Sequence, residues 1–333
     1  MKKVSLIAFA MIVIIITMVS FFYWGREDKN SINLQTVKVA QFADVFIYAP
    51  LYIANAKGFY QDEGIKVEFI NTGGDDKTYA AVIGGSATFG VADPAFVAIA
   101  KENGINGRVI GGIVNGVPFW AITTNKNIPT ITEPQMLAPY SVATFAAPST
   151  AYTVQTEMYN KGGIRPNIKQ GNFGGIIPMM ETGNADIALE LEPNVSSAVY
   201  AGAKIVYSLA EQYPDFAFTG ITTTQKTIDE NPKLVQHFIN AITKAEKYTH
   251  EYPDSAAIYM CKLYPNINPI IVKDAIRRLV ATNTLPDNAI IKIEAWKKSL
   301  EMRKQIGDLK SLEKTEEILD MHFANKAKDI RWK

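Results

Sequence analysis

The stretch APLYIANAKGFYQDEGIKVEF, residues 49–69, reads as a short helix that stops twice at glycine and then runs into a strand. Pro50 suits a first helical turn, where its missing N–H costs nothing. Leu51, Ala54 and Gly58 fall on one stripe at three-to-four spacing, a face narrow enough to lie close against a sheet. Gly58 and Gly64 are each placed to end a helix in the left-handed conformation. From Ile65 to Phe69 apolar and polar residues alternate, as in a half-buried strand. With residues 37–42 as the strand before it, the unit is a strand–helix–strand crossover of the kind that joins parallel strands.

The same alternation continues outward. Strand-like segments at 37–42, 65–70, 87–92 and 108–114 are separated by helical ones near 50–57, 75–83 and 94–103. A second series has strands at 141–145, 168–173, 186–191 and 204–209, with helices near 149–161, 174–183 and 193–201. From about residue 226 the chain reads as mostly helical. This pattern predicts an α/β protein with largely parallel sheets. FWAITTNKNI (119–128) and FTGITTTQKTI (218–228) share an aromatic, Ile, Thr, Thr pattern and read as hinge strands, one leaving the first half and one returning. The expected organisation is a discontinuous first lobe, 37–120 plus 222–333, and a second lobe, 125–217.

Charge and composition narrow the function. The 333 residues carry 34 basic and 33 acidic side chains, a formal net charge of +1, with no basic block. A nucleic-acid partner is therefore not expected, because such affinity rests on many phosphate contacts. The single cysteine, Cys261, rules out an intrachain disulfide and a thiolate-rich metal site. After Met1-Lys2-Lys3 an apolar run from 6 to 24 is long enough to span a bilayer, and the lysines favour an N-terminus inside. No small-x-small cleavage site is obvious near its end, and no cysteine follows to take a lipid. Residues 1–30 thus read as a membrane anchor or a cleaved signal, and either places the remainder outside the cytoplasm.

Enzyme signatures are missing. His237, His250 and His322 all lie in the helical tail, and none forms an H-E-x-x-H pair. There is no G-x-G-x-x-G after a strand, no G-K-[ST] loop and no G-x-S-x-G elbow. NTGGDDKT (71–78) either presents N–H groups to an anion or is a strand-to-helix turn. No enzyme activity, cofactor or metal is expected.

In open α/β sheets ligands sit beyond the carboxyl ends of strands. Those ends carry FADVFIY (42–48), NTGGDD (71–76), ADP (92–94), NGVPFW (115–120), FAAPSTAY (145–152), NFGG (172–175) and ELEPN (190–194), without one lysine or arginine. Candidate stacking walls are Phe46, Tyr48, Trp120, Phe145, Tyr152 and Phe173. Candidate polar contacts are the carboxylates of Asp44, Asp93 and Glu192 and the hydroxyls of Ser149 and Thr150. Each has a plainer role: Asp93, Ser149 and Thr150 as helix caps, Trp120 as hinge packing, Phe46 and Tyr48 as buried loop residues. Glu192 sits where a parallel strand leaves the core, and there a ligand role is favoured.

Four stretches carry a family resemblance: residues 49–69, GGSATFGVADPAFVAIA (84–100), NADIALELEP (184–193) and NPKLVQHFINAITKAEKYTHEYPDSAA (231–257). Together they resemble substrate-binding proteins of ABC importers, in the group serving thiamine pyrimidine precursors, riboflavin, alkanesulfonates and nitrate. The resemblance implies a type II periplasmic binding fold, monomeric, whose two lobes close over a small-molecule solute and hand it to ABC permease subunits. Two departures stand out: no lipid-anchor cysteine, and no histidine in the early loop where pyrimidine-binding relatives often have one. Eukaryotic relatives that make the thiamine pyrimidine consume their own histidine, whereas here every histidine lies in the tail. The carboxylates and aromatics at the strand ends favour a neutral or cationic heterocycle, pyrimidine- or flavin-like. The alternatives are an anionic alkanesulfonate or nitrate, or a ligand-sensing domain for a membrane signalling partner.

Overall fold

Two five-stranded sheets carry the fold. The computed structural model describes residues 34–165 and 167–332, so the expected anchor or signal segment at 1–30 lies outside the described residues. The first stretch runs β1 (Gln35–Gln41), α1 (Ala49–Ala56), α2 (Phe59–Asp62), β2 (Ile65–Asn71), α3 (Asp75–Ile83), β3 (Phe89–Ala92), α4 (Ala95–Lys101) and β4 (Gly107–Asn115). The second holds β5 (Trp120–Thr123), β6 (Val142–Phe145), α5 (Thr150–Gly162), β7 (Ile168–Gly171), α6 (Ile176–Glu181), β8 (Ile187–Glu190), α7 (Asn194–Tyr200), β9 (Lys204–Ser208) and α8 (Leu209–Gln212). The chain then returns through β10 (Ala217–Thr224) to a tail of α9 (Gln225–Glu230), α10 (Pro232–Glu251), α11 (Pro253–Leu263), α12 (Pro269–Ala281), α13 (Ile293–Gln305) and α14 (His322–Ala327).

Strand order is β2-β1-β3-β10-β4 in one sheet and β7-β6-β8-β5-β9 in the other. β1 is parallel to β2 and β3, and β6 to β7 and β8, as crossover helices require. β10 and β5 each run antiparallel to both neighbours. This is the two-lobed type II periplasmic binding fold with a discontinuous first lobe. The two Ile-Thr-Thr segments take equivalent places, each the antiparallel fourth strand of its sheet. The chain passes between sheets at 116–119 and again after β9, so Trp120 stands in the second sheet, opposite Glu190 and Ser208. Ala217 and Ile221 stand in the first, opposite Asn115 and Gly111.

The glycine-broken stretch at 49–69 folds as α1, α2 and β2. Gly58 and Gly64 have φ of 78° and 73°, the left-handed values expected of helix stops. Ala49 through Ala54 are all buried, so α1 is an interior helix without a solvent face along that run. Its principal neighbours are α10 and α11 of the tail, where a sheet contact was expected. Small side chains let the 20-residue α10 approach closely. Phe238 of α10 stacks on Phe89 at 4.2 Å and on Tyr60 at 5.7 Å, joining tail, sheet and α2. Glu63, just after α2, accepts from Lys244 Nζ at 2.7 Å and Asn240 Nδ2 at 3.2 Å. Among the described residues no helix is long and apolar enough to cross a membrane.

A Cβ on Gly64 would meet nothing within 4 Å, and on Gly58 only Gln61 Oε1 at 3.9 Å. The cost of Gly58→Ala or Gly64→Ala is therefore one of backbone conformation alone. Urea unfolding of each variant is expected to show a loss of about 1–2 kcal/mol.

Candidate functional site

A cleft of about 430 Å³ opens beyond the carboxyl ends of the strands of both sheets. Phe42 after β1, Tyr48, the 73–77 loop entering α3, Phe96 of α4 and Phe218 of β10 line it from the first lobe. Phe119, Phe145 at the end of β6, residues 146–151 entering α5, the 171–173 turn and Leu191 line it from the second. Phenylalanine rings run in a chain across it. Phe42 meets Phe173 edge-on at 5.6 Å, Phe173 stacks on Phe145 at 6.2 Å, and Phe145 tilts against Phe119 at 5.7 Å. Phe119, at the crossing between the sheets, then meets Phe218 of β10 at 5.6 Å. Phe173 keeps 45% of its surface exposed.

Of the residues singled out in the sequence, Tyr48, Phe145, Ser149, Thr150 and Phe173 line the cleft. Ser149 is also the expected cap, its Oγ accepting from Tyr152 N at 3.2 Å. Tyr152 itself, half-buried on the first turn of α5, is outside the lining. A short 3₁₀ turn at 46–48 separates its two aromatics. Tyr48 reaches the cleft, while Phe46 is fully buried against Tyr264 at 5.0 Å. Asp44 is exposed and held by side-chain amides, accepting from Gln41 Nε2 and Asn71 Nδ2 at 2.9 Å each. Trp120 is buried in β5, with the Arg278 guanidinium 6.0 Å from its ring.

Two of the three candidate carboxylates, Asp93 and the favoured Glu192, are taken by arginines from the tail. Asp93 Oδ2 accepts from Arg303 at 2.7 Å and from Thr150 Oγ1 at 2.5 Å, while Oδ1 caps α4 through Ala95 N at 2.8 Å. Arg303, 1% exposed, also donates to Thr153 Oγ1 at 2.7 Å, Pro148 O at 2.9 Å and Asp308 at 2.8 Å. Glu192, fully buried, pairs with Arg278 and accepts from Ser196 Oγ at 2.9 Å and Ser196 N at 3.0 Å. Neither carboxylate is among the cleft-lining residues. Strand-end inspection missed both arginines because they lie on α12 and α13, far along the chain.

Charge within the lining comes down to Asp75, Asp76 and Lys77. Burial, then the neighbouring Asp93 carboxylate, pushes the Asp75 carboxyl up to about 7. The Tyr48 phenol is held well above its ordinary range by burial and by Asp75. Behind the wall, Glu190 is fully buried, with Oε1 accepting from Leu191 N at 3.0 Å and Oε2 unpartnered among the described residues. Burial raises its carboxyl to about 7, and Glu192 adds to the rise. Phe96 and Phe218 escaped strand-end inspection because one lies inside α4 and the other inside β10. Among the described residues no group of three or more His, Cys, Asp or Glu could hold a metal ion.

Residues 46–256, more than half of the chain, match the family described as NMT1/THI5 like, and the chain belongs to that family. The binding protein YtlA of Bacillus subtilis is 20% identical over 289 residues, covering 84% of this chain and 86% of that one. The riboflavin-binding protein RibY of Chloroflexus aurantiacus is 24% identical over 227 residues, 63% of this chain and 60% of its own. Among solved structures, the ligand-binding component of an ABC-type import system from Staphylococcus aureus, with zinc bound, is similar at a TM-score of 0.70. It is 13% identical and the likeness covers 88% of this chain and 99% of that one.

Glu190 gives this site a pH signature. Its carboxyl ionises near 4.5 in the unfolded chain and near 7 in the folded one, so folding takes up a proton between those values. That contribution to stability is complete below about pH 4.5 and is lost as pH rises through about 7. Glu190→Gln keeps an acceptor for Leu191 N and cannot ionise. Its melting temperature is expected to exceed that of the wild type in alkaline buffer, with the gap closing in acid.

Proposed function

We propose that this chain is the extracytoplasmic solute-binding receptor of an ABC import system, and that its solute is a small planar heterocycle, neutral or cationic and pyrimidine- or flavin-like. The observation that carries the solute class is the chain of phenylalanines across a cleft whose adjacent arginines are already paired. A volume of about 430 Å³ suits a ring system with substituents and greatly exceeds what nitrate would fill. Stacked or edge-on rings meet a planar solute at its faces. RibY, whose name gives riboflavin as its ligand, supports a heterocycle, and the Staphylococcus aureus neighbour supports an import system.

Lobe 1 is assigned to 37–120 plus 222–333 and lobe 2 to 125–217, with sheet pairing shifting each junction by a few residues. The lobes hinge at the two crossings and close on the solute as rigid bodies. No reaction is assigned to the cleft. A monomer tethered by residues 1–30, presenting its loaded form to permease subunits, completes the reading.

An alkanesulfonate or nitrate is the competing solute. Lys77 and the N-terminal turns of α3 and α5 at the cleft favour it. Asp75 and Asp76, in the first turn of α3, oppose it. An ionised carboxylate about 4 Å from an anion costs roughly 4 kcal/mol at an effective dielectric of 20, more than one helix end returns.

Calorimetry of the full-length chain against riboflavin, an aminopyrimidine, taurine and nitrate separates these readings. Binding of a heterocycle is expected, weakened about five- to tenfold in Phe173→Ala. Micromolar binding of taurine or nitrate with none to any heterocycle would overturn the proposal. Small-angle scattering is expected to show a smaller radius of gyration at saturation, and an unchanged profile would count against hinge closure.

A further inference from the structure

We infer that Asp75 is the specificity-determining residue of the cleft, accepting a protonated nitrogen or N–H edge of the solute and rejecting anions. This rests on the cleft being an aromatic-walled solute site. Six carboxylates stand at or near the strand ends, and the structure disposes of them differently. Asp93 and Glu192 are closed by Arg303 and Arg278. Asp44 is engaged by two side-chain amides, and Glu190 lies behind Leu191 with its own strand end. Asp76 lines the cleft but is solvent-exposed, where water screens it. Asp75 lines the cavity and is half-buried.

Its geometry leaves one oxygen free. Oδ1 accepts from Asp93 N at 3.3 Å, and the other carboxylate oxygen has no hydrogen-bond partner among the described residues. The groups facing it are the Tyr48 phenol from the 46–48 turn, Asp93 with Arg303 behind it, and Asp76 from its own helix, with Lys77 next along. Both terminal nitrogens of Arg303 donate to oxygens of Asp93, Asp308, Thr150, Thr153 and Pro148, and its charge only partly offsets the rise of Asp75 caused by burial and Asp93. With its carboxyl pushed up to about 7 by burial and by Asp93, Asp75 is poised to ionise when a cation enters. A cationic solute gains a charge-assisted bond to the ionised carboxylate, a neutral N–H solute an ordinary one, and an anion meets repulsion once Asp75 is ionised.

The test uses three fragments of matched size and planarity: benzamidinium, benzamide and benzoate. Their affinities for the full-length chain are measured by ligand-observed NMR, for wild type and Asp75→Asn, which keeps an oxygen for Asp93 N. Benzamidinium is expected to bind at least about tenfold tighter than benzoate, with benzamide between them. Its affinity should rise as pH increases from about 6 to about 8, as Asp75 ionises. Asp75→Asn should abolish both the preference and the pH slope while leaving benzamide within about twofold of wild type. Equal or tighter benzoate binding, or a benzamidinium preference that survives in Asp75→Asn, would overturn the role of Asp75 and leave the aromatic cleft standing. Failure of all three fragments to bind would overturn the cleft reading, and this inference with it.

Discussion

The buried guanidinium of Arg303 sets conditions that the surrounding structure must meet. A charge that is 1% exposed persists only where it is paired and hydrogen-bonded; both terminal nitrogens are engaged while Nε has no partner among the described residues, and stripping one partner from such a group typically costs about 3–5 kcal/mol. Its partners come from three places: Asp93 at the end of β3, Asp308 beyond α13, and Pro148, Thr150 and Thr153 at the start of α5. The tail helix, the first sheet and the second lobe therefore meet on one side chain, directly behind the cleft-lining Thr150 and beneath Phe96, whose ring lies 5.0 Å from the guanidinium. Arg278 repeats the arrangement from α12 onto Glu192, whose backbone carbonyl also accepts from Phe46 N at 3.3 Å.

These pairs shape the chemistry of the cleft by subtraction. Each removes one cation and one carboxylate together, so the cleft loses two of the acids near the strand ends and gains no basic group. What remains charged is the 75–77 loop, where two acids outnumber one lysine, set among phenylalanines. Glu190 behind the wall avoids an isolated buried charge by keeping its proton to about pH 7, the usual resort of an acid without a cationic partner.

Much of the architecture was legible because it is local. Alternation of period two and period 3.6 marked the strands and helices, and the Ile-Thr-Thr likeness marked the two strands that lie antiparallel in their sheets. Among site residues, those on strand ends entering the cleft, Phe145, Ser149, Thr150 and Phe173, follow from position alone. Asp93, which does cap its helix, and Glu192 lie outside the lining, and the arginines that pair with them are distant in sequence. An arginine on an amphipathic tail helix carries no local sign that it turns inward. Phe46 and Tyr48 differ in fate only because a 3₁₀ turn sends neighbouring side chains apart, and no periodic pattern spans three residues. The small residues of α1 announced a close approach without naming the partner, which is the tail helix α10.

The ring chain also constrains what can enter. Its Phe42–Phe173 contact joins one lobe to the other, while Phe119 and Phe218 meet beside the crossings, so a solute seated between the lobes must part the first pair. Each such pair contributes about 0.5–1.5 kcal/mol beyond its buried area. The planar heterocycle proposed above would restore that loss, presenting a face or an edge to each ring it displaces. A small inorganic anion presents neither, and it would also bring its charge toward Asp75. On the proposed reading the aromatic walls and Asp75 select in the same direction, while Arg303 and Arg278 are engaged by Asp93 and Glu192.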